Sequence, residues 1–199
     1  MIDLQQKTIK INGKKIAYYD EGSSESNVVI CLHGWGENKD TFSKLIRKLD
    51  PYFRVICLDL PGHGDSEPVQ GQDFGNYVSI IKKFVDERWK GKISIVGFSI
   101  GGVLSLMFAL KYPDKVDKLV IWESGADFKG LKRYRMLRPW LTLINSSRNL
   151  SQVVCYLGTC KVGHKLISTV FSGEIADSMR IADGHTLVSL ACEAVHRDF

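Results

Sequence analysis

The chain has 199 residues, of which 44% are hydrophobic and 25% are charged, and its formal net charge is +5. This composition is typical of a globular protein, and the length allows one α/β domain with a sizeable core. No apolar run is long enough to span a membrane, and no nucleic-acid-binding motif accompanies the positive charge, so neither class of partner is expected.

Cysteine usage indicates a reducing compartment. The odd number of cysteines and their irregular spacing argue against a disulfide framework. The N-terminus has no charged start followed by an apolar stretch, so we expect no secretory signal and a cytoplasmic location. Cys155, Cys160 and His164 have C-x4-C-x3-H spacing but no fourth ligand nearby, so we expect no metal site there.

The first half of the chain predicts strands that alternate with helices. Residues 7–21 read as two strands joined at Asn12-Gly13, which is a strong hairpin turn signal. The apolar run "NVVICLHG" predicts a strand of a parallel sheet that is buried on both faces. The segment "DTFSKLIRKLD" has helical periodicity, and we expect its cap at Asp40 or Thr41.

The pattern continues to Gly125 and then changes. A strand in "FRVICLDLPGHGDS" runs into a loop, and a helix, a strand, a helix ended by Pro113 and a further strand follow. These units predict an α/β fold with a mostly parallel sheet and helices on both faces. Beyond Gly125 the periodicity is helical, so we expect a core domain at residues 1–126 and a helical lid segment at residues 127–199.

Ser99 is the candidate nucleophile, because Gly97-Phe98-Ser99-Ile100-Gly101 forms a G-x-S-x-G pattern between a predicted strand and a predicted helix. This is the setting that a nucleophile elbow requires. The two glycines would avoid clashes that a Cβ creates in so tight a turn. The positive end of the helix dipole would lie close to an oxyanion.

The segment His33-Gly34-Trp35-Gly36 directly follows an apolar strand and is the second candidate element of the site. An oxyanion hole needs two converging backbone N–H groups, and we expect them from Ile100 and Trp35. The Trp35 indole would line an acyl pocket or have only a packing role in the core. His33 precedes the serine at a strand end, so we interpret it as a brace between loops.

Three segments together resemble the α/β-hydrolase superfamily in its esterase and lipase-like branch: "LHGWGENKDTF", "VICLDLPGHGDS" and "IVGFSIGGVLSLMFALKYPDKVDKLVI". The resemblance covers roughly residues 7–126, and the loops look most like methyl ester esterases that act on pimeloyl-acyl-carrier protein. It implies a cofactor-free hydrolase with a helical lid, Ser99 as nucleophile and the amides of Trp35 and Ile100 as oxyanion hole. Asp59 precedes the serine, so we interpret it as structural and not as the triad acid.

The histidine that would activate Ser99 is not identified by the sequence. Family members usually continue past the lid with strands whose loops carry the acid and the histidine, and no such strand is predicted here. His164, His185 and His196 all fall in or beside predicted lid helices. Glu123 ends a strand where some branches place the acid, and its alternative role is that of a polar residue at a strand end. We therefore expect a truncated hydrolase whose uncovered sheet edge and lid favour self-association.

The leading functional prediction is hydrolysis of carboxylic esters through an acyl-enzyme on Ser99. Phe98 and Trp122, with the Leu/Trp-rich lid, favour a hydrophobic acyl group on a small-molecule or carrier-linked ester. Five cations between Phe128 and Trp140 would suit an acidic carrier or simply form a solvated face. An inactive binding module is the alternative. Thioester, lactone, amide and C–C bonds are further alternatives for the bond that is cleaved.

Overall fold

A computed structural model describes residues 4–124, which form a mixed sheet covered by helices on both faces. The strands are β1 Lys7–Ile11, β2 Lys14–Glu21, β3 Val28–Leu32, β4 Arg54–Leu58, β5 Ile93–Phe98 and β6 Val116–Trp122. The helices are α1 Ser43–Leu49, α2 Phe74–Arg88 and α3 Ile100–Lys111, with short 3-10 turns at Lys39–Phe42 and Pro113–Lys115. The strand order is β1-β2-β4-β3-β5-β6, which confirms the predicted α/β class.

The predicted hairpin joins β1 to β2. Asn12 and Gly13 have φ values of 53° and 76°, and two positive φ angles in succession are what a tight hairpin turn requires. β2 then pairs antiparallel with β4, while the pairs β3–β4, β3–β5 and β5–β6 are parallel. The hairpin therefore forms an antiparallel edge on a parallel sheet.

Burial on both faces explains the continuous apolar run of β3, whose five residues are all buried. Val29 and Cys31 pack beneath α1, whereas Ile30 and Leu32 pack against α2 and α3. Cys31 lies in register with Cys57 on β4, and both thiols are free and buried. The carboxyl ends of the parallel strands lie at one edge of the sheet, which is where ligand sites of such sheets form.

The expected helix cap at Asp40 or Thr41 is wrong. The chain enters α1 through the 3-10 turn, where the Asn38 side chain accepts a hydrogen bond from the Asp40 amide at 2.8 Å. Phe42 occupies the cap position of α1 without a side-chain hydrogen bond. The periodicity identified the apolar face correctly, but the capping side chain is Asn38, which accepts the Asp40 amide one turn before α1.

The antiparallel edge is tied to α2 by a buried carboxylate. Asp20 accepts hydrogen bonds from Nε and Nη2 of Arg54 at 2.7 and 2.8 Å and from Arg88 Nη2 at 3.1 Å, and Lys7 Nζ lies 3.5 Å away. Burial alone would raise the pKa of Asp20. The hydrogen bonds with Arg54 and the surrounding cations outweigh burial and hold that pKa below its usual value.

β6 lies at the other edge of the described sheet. Its residues Val120, Ile121 and Trp122 are 53%, 42% and 51% exposed. The proposed lid at residues 127–199 lies outside the described residues, so self-association through this edge stays a prediction, as does the domain boundary. Within residues 4–124, no helix is both long and apolar enough to cross a bilayer.

Candidate active site

Ser99 lies at the sharp turn between β5 and α3. Its backbone angles are φ 52° and ψ −118°, a region that non-glycine residues adopt at the expense of strain. The Ser99 N–H donates to the Trp122 carbonyl at 3.0 Å, and the Ser99 carbonyl accepts from Gly102 N–H at 2.9 Å. The strained residue is therefore held on both sides, by the neighbouring strand and by the first turn of α3.

The glycines of the G-x-S-x-G pattern are required by close backbone contacts. A Cβ on Gly97 would collide with the Gly101 carbonyl and the Ser105 hydroxyl. A Cβ on Gly101 would collide with the carbonyl of Leu32 at the end of β3. These contacts seat α3 directly against the sheet, so the helix N-terminus is brought close to the end of β3.

The segment from His33 to Asn38, which we call the oxyanion loop, begins at the end of β3. Glu37 is buried, and its Oε2 accepts the Gly34 N–H at 3.0 Å, while the Glu37 N–H donates to the Gly34 carbonyl at 3.3 Å. The Gly34 amide is therefore engaged by Glu37. The role of Trp35 as an oxyanion donor stays a prediction.

His33 is a brace, as interpreted from the sequence. It is fully buried, and its Nε2 accepts the Leu60 N–H at 2.9 Å. The proton then lies on Nδ1, which donates to the Gly34 carbonyl at 2.8 Å. Burial lowers the pKa of His33 to about 4, so the ring is neutral at pH 7 and both nitrogens are engaged. His33 therefore has no free lone pair with which to act as a general base.

Two aromatic side chains lie beside the nucleophile. The ring centroids of Phe98 and Trp122 are 5.0 Å apart. Phe98 also covers the oxyanion loop, since a Cβ on Gly34 would lie 3.1 Å from its ring. Trp35 is half-buried against the main core. Phe98 and Trp122 thus lie together, and Trp122 is 51% exposed.

Glu123 follows β6 immediately and lies next to the elbow in the sheet register, because Trp122 is the partner of Phe98. Its φ is 47°, so Ser99 and Glu123 both have positive φ angles and directly follow two neighbouring strands. A Cβ on Gly102 would lie 2.5 Å from the Ser124 Cβ, which shows how closely α3 approaches this strand end. The role of Glu123 as acid stays a prediction.

The remaining histidine candidates, His164, His185 and His196, lie outside the described residues. The same holds for Cys155, Cys160 and the basic segment at residues 128–140. Among residues 4–124, no group of His, Cys, Asp and Glu side chains could hold a metal ion. Sequence reasoning missed Glu37 and Lys39, because a charged residue in a polar loop carries no pattern that indicates its burial.

Two named relatives match this protein over part of their own length. A Bacillus subtilis protein with a provisional name as a 2-succinyl-6-hydroxy-2,4-cyclohexadiene-1-carboxylate synthase is 33% identical over 132 residues, which are 64% of this chain and 48% of that protein. A pimeloyl-[acyl-carrier protein] methyl ester esterase of Vibrio campbellii is 32% identical over 113 residues, 56% of this chain and 42% of that enzyme. The match thus spans less than half of each relative.

The fold is shared with solved hydrolases. A thermophilic esterase from Thermogutta terrifontis superimposes with a TM-score of 0.73 at 21% identity, covering 97% of this chain and 73% of that one. A family model described as the alpha/beta hydrolase fold matches residues 27–141, more than half of the sequence. The chain therefore belongs to the α/β-hydrolase family.

Proposed function

We propose that this chain carries the nucleophile and the oxyanion site of a serine hydrolase that acts on carboxylic esters. The observation that supports this most strongly is the strained Ser99 at the strand-turn-helix elbow. The Ser99 oxygen attacks the ester carbonyl while a histidine takes its proton. The alcohol then leaves with that proton, and water hydrolyses the acyl-enzyme.

The charge that develops on the carbonyl oxygen is stabilised by the amides of Ile100 and Trp35. Ile100 is the first residue of α3, and the first amides of a helix have no partner within it. The engagement of the Gly34 amide by Glu37 supports Trp35 as the second donor. Loss of one oxyanion donor lowers kcat by about 10²–10³ in serine hydrolases.

The histidine comes from outside residues 4–124. The described histidines, His33 and His63, are both fully buried, and His33 bonds its neighbours through both ring nitrogens. His164, His185 and His196 are the candidates within the chain, and a partner chain is the alternative source. Glu123 is the proposed acid, because it ends the strand beside the elbow.

The aromatic residues at the elbow favour a hydrophobic acyl group. Phe98 and Trp122 pack together with their ring planes inclined at 54°, and about half of the Trp122 surface is exposed. The named activity of the Vibrio relative supports a carrier-linked ester as one substrate class. The provisional synthase name of the Bacillus relative keeps a C–C bond among the alternatives, with thioester, lactone and amide bonds.

The direct test is hydrolysis of p-nitrophenyl butyrate by the chain and by Ser99→Ala, each with and without added imidazole. We expect Ser99-dependent turnover with imidazole, because a soluble base can replace a missing histidine. Turnover without imidazole would place the base within the protein, and substitution of His164, His185 and His196 in turn would identify it. Equal rates for both proteins under both conditions would refute the proposal.

The second candidate is a binding module without catalysis, which the burial of both described histidines supports. Such a module would use Phe98 and Trp122 to bind an apolar ligand. Quenching of tryptophan fluorescence by a butyrate ester that is lost in Trp122→Phe, together with equal hydrolysis by the chain and Ser99→Ala, would favour this alternative.

A further inference from the structure

Lys39 is a buried lysine at the end of the oxyanion loop. The residue is 3% exposed, and its ammonium lies 3.0 Å from Asp59 Oδ2 and 2.9 Å from Asp65 Oδ2. Asp59 has no exposed surface. An ammonium is removed from water at a cost of several kcal/mol, so its position inside the protein depends on the two carboxylates.

The Asp59 carboxylate joins two loops. It accepts the Lys39 backbone N–H at 2.7 Å, the Lys39 ammonium at 3.0 Å and the Asp65 N–H at 2.8 Å. The first two donors belong to the residue that follows the oxyanion loop, and the third belongs to the turn that follows β4. One carboxylate therefore holds the end of the oxyanion loop against that turn.

The start of the oxyanion loop is bound to the same turn. There the Leu60 N–H donates to Nε2 of His33. The loop is thus fixed at both ends, by a neutral hydrogen bond at His33 and by the ion pair at Lys39. Trp35, the proposed oxyanion donor, lies between these two attachments.

A third element covers the ion pair. The Tyr19 hydroxyl on β2 donates to Asp40 Oδ1 at 2.6 Å, and the Lys39 ammonium lies 5.2 Å from the centroid of the Tyr19 ring. The ring limits the access of water to the pair, which strengthens its electrostatic attraction.

We infer that Lys39 is a positioning residue that sets the placement of the Trp35 amide through its ion pair with Asp59. This inference rests on the proposed function. Stability alone does not account for the pair, because apolar replacements of buried ion pairs are often neutral or stabilising. Directional hydrogen bonds from backbone and ammonium to one carboxylate instead determine where the main chain of the loop lies. An apolar contact has no such direction and would leave the main chain of the loop free to shift.

Lys39→Met and the double variant Lys39→Met/Asp59→Asn test the inference, with Lys44→Met as control because Lys44 is an exposed lysine nearby. The single variant leaves a buried carboxylate unpaired, whereas the double variant removes that charge. We expect both to lower the Ser99-dependent kcat at least tenfold with KM within about twofold. We also expect the double variant to regain most of the thermal stability that the single variant loses.

Recovery of kcat together with stability in the double variant would overturn the inference, because the role of Lys39 would then be structural only. An unchanged kcat in Lys39→Met would also overturn it. The control variant should match the wild-type chain in both kcat and stability.

Amide hydrogen exchange separates this inference from the proposed function. We expect exchange at residues 33–38 to become at least tenfold faster in the double variant while exchange in β5 is unchanged. If the wild-type chain shows no Ser99-dependent turnover, the proposed function fails. Amide exchange alone then tests whether Lys39 holds the oxyanion loop in place. Faster exchange limited to the oxyanion loop would uphold the placement of the loop by Lys39, and unchanged exchange would overturn it.

Discussion

Protonation of His33 should destabilise the fold at mildly acidic pH. The ring is fully buried, and the nearby charge of Lys39 adds to the effect of burial in lowering its pKa from 6.5 to about 4. The unfolded chain therefore binds a proton at this residue at a higher pH than the folded chain does. The stability linked to His33 is complete above about pH 6.5 and is lost as the pH falls towards 4.

The size of the loss follows from the two pKa values. One pKa unit corresponds to 1.36 kcal/mol, so the difference between 6.5 and about 4 is worth about 3 kcal/mol when the loss is complete. About 2.5 kcal/mol of this is lost at about pH 4.5. Protonation also turns Nε2 into a donor, so the hydrogen bond from the Leu60 amide can no longer form.

Urea unfolding at about pH 7 and about pH 4.5 measures this loss, with His33→Gln as the matched variant. A glutamine oxygen can accept the Leu60 amide but does not titrate. The free energy of unfolding of the wild-type chain should fall by about 2.5 kcal/mol more than that of the variant. An equal fall in both proteins would refute the account of His33 as a neutral, buried brace.

Three further predictions concern the elbow, the sheet edge and the pocket. Gly101→Ala should lower the free energy of unfolding by about 3 kcal/mol, because the new Cβ would collide with the Leu32 carbonyl at the end of β3. Gly91→Ala is the control and should change it by less than about 1 kcal/mol, because its Cβ would have no atom within 4 Å. Asp20→Asn should lower the free energy of unfolding by about 1–3 kcal/mol at pH 7, measured by urea unfolding. This difference should shrink as the pH falls below 3.8, because the folded protein then loses the stability that the lowered pKa of Asp20 provides. Trp122→Ala should reduce the preference for p-nitrophenyl butyrate over the acetate, measured by kcat/KM, by about tenfold, and Tyr52→Ala, which removes a ring that is 74% exposed, should not.

The sequence predicted most of the sheet because its signals are local. Asn12-Gly13 favours two successive positive φ angles, and the apolar run of β3 reflects burial on both faces. The elbow was identifiable for the same reason, since Gly97 and Gly101 are required by contacts made within one strand-turn-helix unit and its neighbouring strand.

Contacts between distant segments were not predictable in the same way. Lys39 and Asp59 pair across loops that follow different strands, and neither position carries a periodic signal of burial. Glu37 accepts the Gly34 amide within its own turn, but its burial likewise has no periodic signal in the sequence. The helix start was misplaced because Asn38 caps a 3-10 turn ahead of α1, and hydrophobic periodicity does not distinguish a 3-10 turn from the first turn of an α-helix.

The most direct test of the central claim is to locate the acyl group after reaction with p-nitrophenyl butyrate. The chain is incubated with the ester and imidazole, quenched in acid, digested and analysed by mass spectrometry. The account predicts a butyryl group on Ser99 that is absent from Ser99→Ala. A butyryl group only on other residues, or no adduct and no Ser99-dependent release of p-nitrophenol, would contradict the assignment of Ser99 as the nucleophile.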